Sequence, residues 1–174
     1  MRKELDTFWE SYDKTEVMKA PKDIEEKTDG KPKKKVDAYE LSEAVDIFKK
    51  YNERFSDKVL KEEKWSEKIK LMQDLIKDAS VPKICHTTDF RHISEMIRRL
   101  INHSNFNVVL TDLKLLAVLS RGLRKHFHGT AKSLFANVIG KFRDKKTLMV
   151  EETFNTLNEL TYCLAIEDVI EDVK

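Results

Sequence analysis

Apolar residues recur at helical spacing along most of this chain, and short polar turns interrupt them at regular intervals. Leu5, Phe8, Trp9 and Tyr12 fall at i, i+3, i+4 and i+7, which predicts an amphipathic helix within 1–18, stopped by Pro21. Residues 19–35 are polar, hold Gly30 and Pro32, and carry the basic run Lys31, Lys33, Lys34 and Lys35; this reads as a linker. From Val36 onward the pattern is helical throughout. Leu41, Ala44, Val45, Phe48, Tyr51 and Phe55 form a helical stripe, and Ser56 is placed to cap a short helix over 57–63. A helix over 66–79 follows, with Ile69, Met72, Leu75 and Ile76 on one side and Val81-Pro82 closing it. Thr88 is the expected N-cap of a helix over 88–102. Residues 106–126 are apolar on most sides and predict the most buried helix, with Gly129 breaking the run. Further helices are expected over 130–142, 147–160 and 163–174.

The turns between paired helices fall at Trp65, Asn105 and Lys145, a spacing of about 40 residues, which belongs to the HEAT/armadillo class of helical repeat. The expected fold is all-α: a HEAT-type solenoid over 36–174, with repeats near 41–79, 88–126 and 130–160 and the start of a fourth at 163–174. Stacking sets equivalent turns in a row, so Trp65 should have neighbours near 105 and 145. A half repeat at the end leaves an apolar face without a polar cap, so the chain reads as part of a longer array.

Composition narrows the class. Of 174 residues, 40% are hydrophobic and 37% charged, with only 4 Gly and 3 Pro, which suits helices joined by short turns. The net charge of +2 does not favour a nucleic-acid coat, and no aromatic stacking platform accompanies it. No apolar run approaches the length of a membrane span. Cys85 and Cys163 show no pairing pattern and read as reduced thiols of a cytoplasmic protein. His126 and His128, two residues apart, point to different sides of a helix and do not make a metal site. Cys85-His86 is not a catalytic geometry, and Glu151-Glu152 and Glu171-Asp172 read as solvated faces. The cluster Arg121, Arg124 and Lys125 suits a helix C-terminus. Neither an enzyme nor a cofactor is expected.

Four stretches carry a family resemblance: Val36-Asp-Ala-Tyr-Glu-Leu41, the turn Lys64-Trp65, Gly122-Leu-Arg-Lys-x-Phe127, and Lys141-Phe-x-x-Lys145-Lys146. Together, over roughly 36–174, they resemble the TOG domains of microtubule polymerases, most of all the second TOG domain of the large cytoskeleton-associated proteins that carry several in tandem. The resemblance implies a scaffold of six HEAT repeats whose turn edge grips unpolymerised tubulin. It implies Trp65 as the apolar anchor on β-tubulin with Lys68 beside it, Asn105 and Phe106 on the second turn, and Lys145 and Lys146 on the third. The family usually has a small aliphatic residue where Phe106 stands and an acidic one where His103 stands. Its fourth to sixth repeats, which contact α-tubulin, have no counterpart in these residues. The implied role is a monomeric module of a growth factor of microtubule plus ends. It would act in microtubule dynamics and spindle organisation, on the cytoskeleton of the cytoplasm, at spindle poles, the centrosome, plus ends or kinetochores. A HEAT scaffold for another protein, without tubulin affinity, is the alternative. For Trp65 the bland reading is a side chain folded back on its own repeat, and for Lys145 and Lys146 a solvated turn.

Overall fold

Paired helices in two layers account for most of the residues that the structure, a computed structural model, describes: 37–168, without the side chain of Ile166. The predicted helix over 1–18, the linker over 19–35 and the last part of 163–174 lie outside the described residues. The elements are α1 (Ala38–Leu41), α2 (Glu53–Lys61), α3 (Trp65–Ala79), α4 (Arg91–Leu100), α5 (Phe106–Leu123), α6 (His128–Gly140) and α7 (Thr147–Leu160). Short 3₁₀ turns follow at Arg124–Phe127, Lys141–Arg143 and Ile166–Asp168.

The helices pair as α2–α3, α4–α5 and α6–α7. The second members form one layer, α3 against α5 and α5 against α7. The first members form the other: α2 packs on α4, and α4 is tied to α6 by Thr130 Oγ1 donating to Ser94 Oγ at 2.9 Å and Arg98 donating to Ser133 Oγ at 3.0 Å. The sequence pattern explains the burial. In α4, Ile93, Met96, Ile97 and Leu100 recur at i, i+3, i+4 and i+7, and all are buried. Sandwiched α5 buries Val108, Leu113, Leu115, Leu116, Leu119 and Leu123, as its all-round apolar pattern predicts. Each such side chain contributes roughly 1.5–3 kcal/mol of transfer free energy. Buried hydroxyls bond within their own layer: Thr156 Oγ1 donates to Glu152 O and across to Leu113 O, and Ser120 Oγ to Leu116 O.

The structure corrects several sequence expectations. The stripe from Leu41 to Phe55 is not one helix. After the single turn of α1, Val45 pairs with Ile84 in an isolated parallel bridge, and Leu41 and Val45 are exposed while Phe48 and Tyr51 are buried. Asn52, not Ser56, caps α2, accepting from the Arg54 and Phe55 N–H groups; Ser56 sits buried inside the helix. Thr88 caps no helix. Its hydroxyl donates to Asp46 Oδ2 at 2.8 Å, holding the 80–90 connection against the preceding repeat. The long apolar helix ends at Leu123 because Arg124 takes a positive φ of 48°, so Gly129 falls inside α6. Of the last expected helix, residues 163–168 are described, and they form a turn and the short 3₁₀ segment Ile166–Asp168 rather than a regular α-helix.

Gly122 is required by packing. The 80–90 connection crosses the end of α5, where the Ile84 N–H donates to Gly122 O at 2.9 Å, and a Cβ at 122 would stand 2.5 Å from Ile84 Cδ1. Among the described residues no helix is long and apolar enough to cross a membrane.

Candidate protein-binding edge

The second-layer helices begin at Trp65, Phe106 and Thr147, so the structural period is about 41 residues. All three turns that precede them, 62–64, 101–105 and 144–146, lie on one edge. One contact joins two of them: the Lys146 ammonium stands 3.8 Å from the centroid of the Phe106 ring, linking the third turn to the second.

Trp65 is the first residue of α3 and is 49% exposed, so the indole does not fold back fully onto its repeat. The turn before it is shaped by Glu62, whose Oε1 accepts the Lys64 N–H at 3.1 Å. Lys68, expected as a cation beside the tryptophan, is instead 6% exposed. Its stem lies in the packing between helices, and its Nζ donates to Leu60 O at 3.4 Å. This follows from the length of the lysine stem, which buries readily once a carbonyl can receive the ammonium. Lys68 therefore holds the turn from within and is not part of the exposed row.

The second turn is built from its own side chains. Asn105 caps α5 by accepting the Asn107 N–H at 2.9 Å, and its own N–H donates to His103 Nδ1 at 2.9 Å. His103 thus does the acceptor's work that a carboxylate could do at that position. Burial, and then the nearby Lys68 ammonium, lower its pKa, which keeps Nδ1 free to accept. Phe106 follows the cap directly, half-buried, with its ring packed against the core.

Lys145 and Lys146 are exposed on the third turn. Asp144 Oδ1 accepts the Lys146 N–H at 2.9 Å, which fixes the start of α7. Sequence reading missed Leu148, 62% exposed on the first turn of α7. Its only signal is its place one repeat beyond Asn107. The edge therefore offers an indole, a phenyl ring, an isobutyl group and two exposed cations, a composition suited to binding. Among the described residues no group of three His, Cys, Asp or Glu side chains could hold a metal ion.

The opposite edge holds the connections between repeats. Arg124 is stacked between Tyr39, 4.0 Å away, and Tyr162, 5.1 Å away, and is paired with Asp37. These residues line a cleft of about 440 Å³. Arg121 pairs with Glu159, so this arginine cluster is spent on contacts within the chain. His86 and His126 stack with centroids 3.5 Å apart, and His128 faces Asp168 at 3.2 Å. Cys85 Sγ lies 3.1 Å from Thr87 Oγ1, and buried Cys163 has its thiol pushed up to about 11 by desolvation.

The two-layer stack with one row of turns defines a helical-repeat protein of the HEAT type. No family model matches the chain. It is 33% identical over 141 residues, 80% of its length, to Protein MOR1 of Oryza sativa subsp. japonica. It is 25% identical over 166 residues, 93% of its length, to Centrosomal protein 224 of Dictyostelium discoideum. The chain spans only 7% and 8% of those relatives. A solved structure described as the structural basis of microtubule plus end tracking by XMAP215, CLIP-170 and EB1 superposes with a TM-score of 0.66 at 27% identity, over 77% of this chain and 56% of that one. Within the HEAT class, then, the chain belongs to the TOG-domain family, and the described repeats are part of such a domain.

Proposed function

We propose that this TOG domain binds the free tubulin heterodimer through its turn edge, with Trp65 on β-tubulin and Lys145 and Lys146 facing acidic tubulin surface. The observation that carries the reading is Trp65, half in solvent at the head of a row that also presents Phe106, Lys145, Lys146 and Leu148. A large exposed aromatic in a row with cations is a common form of binding hot spot. Asn105 shapes the edge by capping α5, and Lys68 by holding the first turn from inside. The module works by binding rather than by catalysis, within a factor that promotes microtubule growth at plus ends. Its place is the cytoskeleton, including spindle poles or the centrosome, in keeping with the name of the Dictyostelium relative.

The test is gel filtration of the chain with unpolymerised tubulin, beside Trp65→Ala and the double variant Lys145→Ala/Lys146→Ala. The wild-type chain should co-migrate with tubulin and both variants should do so less. Equal co-migration of all three would defeat the reading. A second reading, a scaffold for another protein, is favoured by the withdrawal of Lys68 from the edge. It predicts no co-migration with tubulin at all.

A further inference from the structure

The contact between Phe106 and Lys146 joins two turns that are far apart in sequence, and both of its partners are held in place. Phe106 is fixed from below by the core and at its backbone by the Asn105 cap. Lys146 is fixed at its backbone by Asp144, and its ammonium stands 3.8 Å from the phenyl centroid. An ammonium at that distance from a ring face is attracted by the ring quadrupole, yet it keeps donors free on the side away from the ring. Lys145, one residue away, has no such contact among the described residues. A free lysine on a turn samples many rotamers and gives up that freedom on binding. A lysine already resting on a ring has given up part of it beforehand.

We propose that Phe106 is a positioning residue that pre-sets the Lys146 ammonium for a carboxylate on the partner's surface. The turn edge thereby favours a surface that carries an acidic group next to the apolar patch taken by Trp65. Phe106 acts through Lys146, and its ring, rather than its bulk, is what matters. A leucine at 106 would fill similar space but have no quadrupole, whereas a tyrosine would keep one.

The proposal rests on the tubulin reading for the partner, but not for the positioning, and two measurements separate them. The first is made on the free chain: proton chemical shifts of the lysine ε-methylene groups, assigned for Lys145 and Lys146. The ring current should move the Lys146 ε-protons upfield of those of Lys145. The offset should persist in Phe106→Tyr and vanish in Phe106→Leu, with melting temperature followed to confirm that each variant is folded. The second is the affinity of the unpolymerised tubulin heterodimer for the same proteins. Phe106→Leu should weaken binding about two- to fivefold, Phe106→Tyr should not, and Phe106→Leu should have no further effect in a Lys146→Met background. Coincident Lys145 and Lys146 shifts in the wild-type chain would overturn the positioning, as would equal affinities for the leucine and tyrosine variants when the wild-type chain binds tubulin. Upfield Lys146 shifts in a chain that ignores tubulin would overturn the assigned partner and leave the positioning intact.

Discussion

The turn edge and the connection edge are built from opposite ends of the same helices, yet they use their side chains in opposite ways. On the connection edge polar and aromatic groups face one another: Arg124 lies between Tyr39 and Tyr162, the Ile84 N–H meets Gly122 O, Val45 exchanges bonds with the 83–85 segment, and His86 stacks on His126. On the turn edge the bonds are short-range, made by Glu62, His103, Asn105 and Asp144 to backbone N–H groups two residues away. They fix the backbone and leave Trp65, Lys145, Lys146 and Leu148 facing out. One edge fastens the repeats to each other, and the other leaves side chains facing outward, where we propose that the partner binds. The comparison teaches that binding and stability should be separable by substitution.

The largest expected effect is on the turn edge. Trp65→Ala should weaken tubulin binding by about 2 kcal/mol or more, roughly thirtyfold, in a titration of labelled tubulin. The melting temperature should barely change, because the indole is half exposed. On the connection edge, Gly122→Val should do the reverse. Its side chain would collide with buried Ile84 and lower the unfolding free energy by about 2 kcal/mol in a urea titration. Tubulin affinity per folded molecule should stay the same.

Asp112 tests the core between the edges. It is fully buried on α5, and neither carboxylate oxygen has a hydrogen-bond partner among the described residues. Desolvation raises its pKa well above the usual carboxylate range, against a weaker opposing pull from Lys141. A raised folded-state pKa means that the stability linked to Asp112 is full below its unfolded value of about 4 and is lost as the pH rises through the folded value. Asp112→Asn should therefore be more stable than wild type at neutral pH by about 1 kcal/mol or more. Melting curves across pH should show that advantage shrinking toward pH 4.

His103 has the opposite sign. Its lowered pKa means that its contribution is present above the unfolded value of about 6.5 and is lost as the pH falls through the folded one. Acid should break the bond from the Asn105 N–H, seen as faster amide exchange at Asn105, and weaken tubulin binding a few-fold. The smallest effect belongs to Lys145→Ala. This exposed cation should mainly speed encounter, so its loss should lower the association rate at low salt and matter little at high salt.

The repeat was readable because each helix carries its apolar residues at helical spacing and each turn carries its own polar punctuation. Asn105 read as a turn residue and caps the helix that follows, because an N-cap bond spans only two residues. The buried rank of α5 followed from apolar residues on nearly all its sides. The misread positions have partners far away in sequence. Val45 leaves a helical pattern because the 83–85 segment offers it backbone bonds, and Thr88 bonds Asp46 rather than a helix N–H. Lys68 reads as a surface cation until Leu60 O is known to lie within its reach. The positive φ of Arg124 has no local sequence signal, since neither glycine nor asparagine marks it. At the edge, Trp65 and the two lysines were legible as types, whereas the resting place of Lys146 on Phe106 required the stack.

The central claim is that tubulin is gripped by the turn edge and not by the connection edge. Amide hydrogen exchange of the chain, with and without saturating unpolymerised tubulin, compares the two edges in one experiment. The account predicts new protection at 62–66, 103–107 and 144–148, with 80–88 and 124–128 unchanged. Protection confined to 80–88 and 124–128, or none at either edge under saturation, would contradict it.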